Sequence, residues 1–178
     1  SSNLGLNGIE INGKMLLSGY TPFYGSEIWV SDGTAAGTEL LLNINSKVDR
    51  GNQQVSTFMP VGDYLYMFAN DSINGAELWR TDGSKDGTIL LDNINIDYLP
   101  SSMEGYTEFK GNLYGTAVSF LEGIELYKSD GTPSGSGFVT PSDLFSSSAP
   151  RDYVVQGNYM YFIGRTGLFS GDAILTSA

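Results

Sequence analysis

The chain has 178 residues, 40% of them hydrophobic, with nine basic and twenty acidic side chains and a net charge of −11. It is long enough for one packed domain, and its charge opposes both the phosphate neutralisation behind nucleic-acid binding and attraction to anionic membranes. With no cysteine and no histidine, disulfides, thiolate catalysis, Cys/His zinc sites and histidine proton transfer are excluded, and no run approaches the roughly 18 apolar residues of a membrane span.

The chain opens at Ser1-Ser2-Asn3 without an initiator Met, as a processed or excised product does. A first copy of a repeat is read from about residue 8 to 50. It holds a hairpin turn at Ile11-Asn12-Gly13-Lys14, an aromatic loop with Tyr20, Pro22, Phe23 and Tyr24, and then Glu27-Ile28-Trp29-Val30-Ser31-Asp32-Gly33-Thr34. The second copy, from about 56 to 100, is the clearest. Ser56–Val61 reads as a strand running into Gly62-Asp63, a tight hairpin signal because glycine accepts positive φ. The aromatic run Tyr64–Ala69 reads as a second strand. After a polar link at Asn70–Gly75, Glu77–Thr81 reads as a third strand, with Leu78 and Arg80 on one face and Trp79 on the other. Asp82-Gly83-Ser84 then turns the chain into a fourth strand at Ile89–Ile94.

The third copy, from about 105 to 145, turns at Lys110-Gly111 and carries Glu125-Leu126-Tyr127-Lys128-Ser129-Asp130-Gly131-Thr132. A shorter fourth copy, from about 152 to 178, turns at Gly157 and has no counterpart of the Glu-Leu-Trp or Asp-Gly-Thr residues. Glycines 13, 62, 111 and 157 stand 49, 49 and 46 residues apart, and the first three precede their Asp by 19, 20 and 19 residues. A period near fifty marks copies of one supersecondary unit that stack to bury a shared core. The expected fold is all-β: repeated four-stranded antiparallel meanders, β-propeller-like, three full blades and one abbreviated blade in a single repeat domain.

The recurring residues also resemble the Glu-Leu-Trp-x-x-Asp-Gly-Thr-x-x-Gly-Thr (ELWxxDGT) repeat family of bacterial secreted and surface proteins. Glu77 to Thr88 matches at every motif position except Ser84, and Glu27 to Thr38 matches apart from Ile28. The third copy has Tyr127 for Trp and reads as having lost the closing Gly-Thr. The resemblance covers about three quarters of the chain. It implies a propeller-like, exported module at the cell surface or outside the cell, and no particular activity.

Three recurrent sets of residues are candidates for chemistry. Asp32, Asp82 and Asp130, with Asp86, Asn43, Asn45, Asn93 and Asn95 nearby, can offer oxygens to Ca²⁺. No Asp-x-Asp-x-Asp-Gly loop is present, however, and an aspartate heading a turn, followed by Gly33, Gly83 or Gly131, accepts backbone N–H groups two residues on. The expectation is therefore structural turns and no cofactor. Trp29, Trp79 and Tyr127 suit either a sugar-stacking platform or the space between blades, and packing is the reading preferred. Glu27, Glu77 and Glu125 read as cross-strand partners or rim charges, because a catalytic carboxylate pair is a unique pair, not a repeated one.

Where the repeat breaks its own pattern, at Tyr20, Phe23 and Tyr24, with Phe120 and Leu121, either a recognition surface or a loop folded back over the blade edge is expected, and binding is assigned there. The function expected is a non-enzymatic extracellular structural or interaction module, in adhesion, a surface layer or a filament. Its partners would be protein, matrix or glycan, and it would either assemble with copies of itself or form part of a longer chain. The alternative is a carbohydrate-binding propeller lectin using the exposed aromatics.

Overall fold

The structure is a computed structural model that describes residues 3–45, 55–95, 102–139, 148–165 and 172–177. The first sheet contains β1 (Asn3–Ile11), β2 (Lys14–Thr21), β3 (Gly25–Ser31) and β4 (Glu39–Leu42) in that spatial order. The second contains β5 (Ser56–Val61), β6 (Tyr64–Asn70), β7 (Ala76–Thr81) and β8 (Ile89–Asp92). The third contains β9 (Met103–Phe109), β10 (Asn112–Ser119), β11 (Gly123–Ser129) and β12 (Ser136–Phe138), with one 3₁₀ turn at Pro133–Gly135 before β12. The fourth contains three described strands, β13 (Arg151–Gln156), β14 (Tyr159–Arg165) and β15 (Asp172–Ser177). All pairings are antiparallel between chain neighbours, so the protein is all-β and built from repeated meanders. The first sheet begins at Asn3 rather than near residue 8, because β1 continues past a bulge between Leu4 and Gly8.

The hairpin turns explain why the first three glycines precede their Asp by 19, 20 and 19 residues. In the first and third sheets the two turn residues both have positive φ, Asn12 at 50° with Gly13 at 75° and Lys110 at 52° with Gly111 at 75°, as a type I′ turn requires. In the second and fourth sheets only the first turn residue does, Gly62 at 57° and Gly157 at 60°, the pattern of a type II′ turn. Glycine thus sits at the second turn position in two copies and at the first in the other two. The strands themselves keep register: Leu17 faces Trp29, Met67 faces Trp79 and Gly115 faces Tyr127.

The sheets stack face to face in chain order. Ile11, Leu16, Ile28 and Val30 of the first sheet pack on Leu65, Met67 and Ala69 of the second. Tyr66, Phe68, Leu78 and Leu91 of the second pack on Leu113, Ala117 and Tyr127 of the third. Phe109, Tyr114 and Leu126 of the third pack on Met160 and Phe162 of the fourth. Because the second sheet is covered on both faces, alternate residues of β6 point into two different cores. Its sequence is therefore apolar throughout instead of alternating with polar residues.

Hydrogen bonds cross the same junctions. The Tyr127 hydroxyl donates to Asp92 Oδ2 at 2.8 Å, and the Thr116 and Tyr153 hydroxyls lie 2.7 Å apart. Burial and the adjacent Asp92 carboxylate push the Tyr127 phenol upward, so it stays a donor. The Asn12 side-chain amide donates to Asp82 O at 2.8 Å, tying the first hairpin to the motif turn of the next sheet.

Candidate functional site

The three motif turns are built alike, residue by residue. Asp32 Oδ1 accepts the Thr34 N–H at 2.9 Å and the Thr34 hydroxyl at 2.7 Å. Asp82 Oδ1 accepts the same groups of Ser84 at 2.8 and 2.6 Å, and Asp130 Oδ1 those of Thr132 at 2.8 and 2.7 Å. These donors, the hydroxyl first, hold all three carboxyls below the usual aspartate range. The Thr34, Ser84 and Thr132 hydroxyls in turn accept the N–H of Gly37, Gly87 and Gly135 at 2.9, 3.0 and 3.0 Å. Gly33, Gly83 and Gly131 take φ of 91°, 87° and 87°, the left-handed conformation that glycine adopts without a Cβ penalty.

The closing Gly-Thr has a separate reason. A Cβ on Gly37, Gly87 or Gly135 would overlap the Asp32, Asp82 or Asp130 carboxylate that lies against it. The next residue closes the turn through its hydroxyl, which lies beside the last hydroxyl of the third strand: Ser31 with Thr38 at 2.7 Å, Thr81 with Thr88 at 2.8 Å, Ser129 with Ser136 at 2.7 Å. This corrects the expectation for the third copy. Its closing pair is present at the same spacing as Gly135-Ser136, with serine doing the work of threonine because only the hydroxyl is used.

The recurrent glutamates are a second correction: they are neither rim charges nor cross-strand partners. Glu27, Glu77 and Glu125 are 1%, 0% and 7% exposed. Glu27 accepts the N–H groups of Ile44 and Asn45 at 2.9 and 3.1 Å, and Glu77 that of Ile94 at 2.9 Å. Glu125 accepts the N–H of Ser148 at 2.9 Å together with its hydroxyl. Each glutamate therefore clamps the segment by which the chain leaves its sheet for the next one. The signal for this in the sequence is the recurrence of Asn43-Ile44-Asn45 as Asn93-Ile94-Asn95, fifty residues on. Asn95 extends the clamp by donating to Val118 O at 3.0 Å and accepting the Phe120 N–H at 2.8 Å.

Burial pushes the Glu27 carboxyl up to about 7, against the N–H groups of Ile44 and Asn45, which pull it down. The folded state thus keeps a proton that the unfolded chain releases near 4.5. The stability it contributes is complete below pH 4.5 and is lost as pH rises to about 7. The Asn43 amide, with its nitrogen toward Glu27 Oε1 at 3.0 Å, also favours the anion. The expected amplitude is therefore about 2 kcal/mol, below the full product of the shift. Glu27→Gln, a mimic of the protonated acid, is expected to gain that amount relative to the parent between pH 4.5 and 8 in urea unfolding; parallel pH curves would refute it.

The opposite rim carries the loops joining second to third strands. Tyr20, Phe23 and Tyr24 are 39%, 84% and 38% exposed, and Phe120 and Leu121 are 79% and 68% exposed. The Phe23 and Tyr24 rings meet edge to face with centroids 4.8 Å apart. The equivalent loop of the second sheet, polar in sequence, presents Ile73 at 64% exposure, a residue that sequence reasoning passed over. That loop is braced from below, since Asp71 accepts the N–H groups of Ile73 and Asn74 at 2.8 and 2.7 Å. Trp79 packs instead between the first two sheets, Tyr127 between the second and third, and Trp29 lies on the outer face of the first. The described residues thus bring the motif turns to one rim and the exposed apolar loops to the other. Among them no group of three or more acidic side chains is placed to hold a metal ion.

No family model matches the chain, and no curated protein is significantly similar to it. Among solved structures it is similar to puromycin hydrolase, with a TM-score of 0.50 and 12% identity over 95% of this chain. A mutant of that hydrolase complexed with PGG aligns at 10% identity over 92% of this chain, with a TM-score of 0.46. The chain spans about a quarter of the length of the hydrolase, 26% and 25% in the two structures, and at 12% identity the likeness to the first is one of fold.

Proposed function

We propose that this chain is a non-enzymatic extracellular interaction module of the ELWxxDGT repeat type, which recognises a protein partner through the loop rim of Phe23, Ile73, Phe120 and Leu121. One observation carries the reading. Three successive sheets each place a large apolar side chain, 64–84% exposed, at the same loop position, and apolar groups rimmed by polar ones mark interaction sites. The structural part of the reading is supported by the work of the recurrent acids: the three aspartates hold turns and the three glutamates hold inter-sheet segments.

The test is binding to arrayed extracellular-matrix proteins and to a glycan array, with the parent chain beside a Phe23→Ser/Phe120→Ser variant. The expected result is capture of a protein, lost in the variant without a change in melting temperature. The Phe23–Tyr24 pair also favours a second reading, a lectin. Glycan binding abolished by Tyr24→Ala would replace the first reading with that one, and binding that survives the loop variant would remove the loop rim from the proposal.

A further inference from the structure

The loops that join second to third strands in the second and third sheets hang on one short segment, Asn93-Ile94-Asn95, which follows β8. The Asn93 side-chain amide donates to Asn74 Oδ1 of the second sheet's loop at 3.1 Å. The Asn95 side chain donates to Val118 O and accepts the Phe120 N–H of the third sheet's loop, at 3.0 and 2.8 Å. Between them the Ile94 N–H donates to Glu77 Oε2 at 2.9 Å, and the Ile94 side chain lies in the core shared by the second and third sheets. The segment is thus fixed at its middle, where Ile94 and Glu77 are both buried. Residues two apart in sequence have Cα atoms at most about 7 Å apart, so the two loops hang from anchor points that close. Each loop is also braced from below. Asp71 accepts the N–H groups of Ile73 and Asn74, and the Ser119 hydroxyl accepts those of Leu121 and Glu122 at 3.2 and 3.4 Å.

We propose that these two loops form one preorganised subsite of the rim, set by Asn93 and Asn95 as positioning residues, for a partner segment that is both apolar and cationic. The inference rests on the interaction reading above and adds to it how the loops are held and what charge they receive. The apolar half of the match is Ile73, Phe120 and Leu121, 64%, 79% and 68% exposed. The cationic half follows from the side chains around them. Residues 70–76, 93–95 and 118–124 include Asp71 and Glu122 and no Lys or Arg, and Glu122 is exposed beside Leu121. Asp71 sits beneath Ile73 as a fixed acceptor, with both carboxyl oxygens taking N–H groups of its own loop. An acidic segment would meet like charge here, and a purely apolar one would desolvate Glu122 without a counter-charge. A Lys or Arg beside an apolar side chain meets both requirements. Because the anchors hold the loops in place before a partner arrives, little ordering is left to oppose binding, which raises affinity without new contacts.

Fluorescence anisotropy on the 178-residue chain tests this, with a labelled peptide of alternating Leu and Lys as probe and a Leu/Glu peptide of equal length as counter-probe. The Leu/Lys peptide is expected to bind, more weakly as salt is added, and the Leu/Glu peptide is not. Ile73→Ser and Phe120→Ser are each expected to weaken binding about 10-fold. Asn95→Ala is expected to weaken it about 10-fold through lost preorganisation, with faster amide hydrogen exchange at Phe120. Asn93 is exposed, so Asn93→Ala loosens the second loop's anchor without touching the core, and weaker binding is expected there too. A Leu/Lys peptide that does not bind, or that binds the Ile73→Ser/Phe120→Ser variant as it binds the parent, overturns the proposal. So does equal binding of the Leu/Glu peptide, or binding unchanged in both anchor variants. On the protein and glycan arrays, capture lost with the loops but unchanged in Asn93→Ala and Asn95→Ala overturns the coupled subsite and leaves the interaction reading standing. Capture that survives the loop variant removes both.

Discussion

Gly87→Ala is expected to cost about 2–3 kcal/mol, as overpacking at a tight site does, and most of that loss is expected to vanish once Asp82 is also replaced by alanine. The added methyl has nowhere to go but into the Asp82 carboxylate, so the clash belongs to the pair of residues and not to the glycine's backbone. Asp82→Ala alone removes the acceptor of the Ser84 N–H and hydroxyl, worth about 1 kcal/mol as for other turn and cap side chains. The double variant should therefore lose about 1 kcal/mol rather than the sum, a coupling of about 2 kcal/mol in a double-mutant cycle. Chemical denaturation of the four proteins measures it. Additive losses would mean that Gly87 is required for some reason other than room for the carboxylate.

Leu78→Ala should destabilise the chain by about 3 kcal/mol, with a fall in melting temperature of roughly 6–12 °C. Leu78 has no exposed surface and lies in the cluster that joins the second and third sheets. Truncation there leaves a cavity between two stacked units rather than within one. In a stacked array, stability is shared between neighbours through such junctions, so the transition is also expected to broaden as the two halves lose cooperativity. Phe23→Ala is the control. At 84% exposure on the loop rim it should change stability by no more than about 0.5 kcal/mol. A Leu78→Ala variant that melts with the parent would show that the sheets fold without needing one another.

These two expectations separate frame from function. The residues that recur with the period are consumed by turns, clamps and junctions, so their loss registers as stability. The loop residues that vary from copy to copy touch little of the frame, so their loss is expected to leave stability nearly unchanged. That division is what a repeat architecture permits: identical positions meet identical neighbours in every copy, and only the exposed loops are free to differ.

Strand placement was legible because every strand of the second copy is bounded by a chemical signal. Gly62-Asp63 closes one hairpin and Asp82-Gly83 the other turn, and the apolar runs between them are short. Observed β5 and β6 begin at the expected residues, Ser56 and Tyr64. The third strand of the fourth copy was not legible, since β15 (Asp172–Ser177) pairs with β14 in the register that β7 uses, without a motif residue to announce it. Backbone pairing supplied there what side-chain chemistry supplies elsewhere. The Gly135-Ser136 closure was missed for a related reason, because a hydroxyl requirement was read as a requirement for threonine.

The sequence by itself determined the repeat, through its period near fifty, and also the all-β class, the tight turns and the role of Asp32, Asp82 and Asp130, because these last depend on residues within about six positions of one another. Only the tertiary structure decided that Glu27, Glu77 and Glu125 are buried clamps, since their partners lie 17 to 23 residues away. It also decided which apolar faces are covered and which lie open. A strand's alternation states that it has two faces, but whether a face is buried depends on the neighbouring sheet, and that neighbour is contributed by residues a full repeat away.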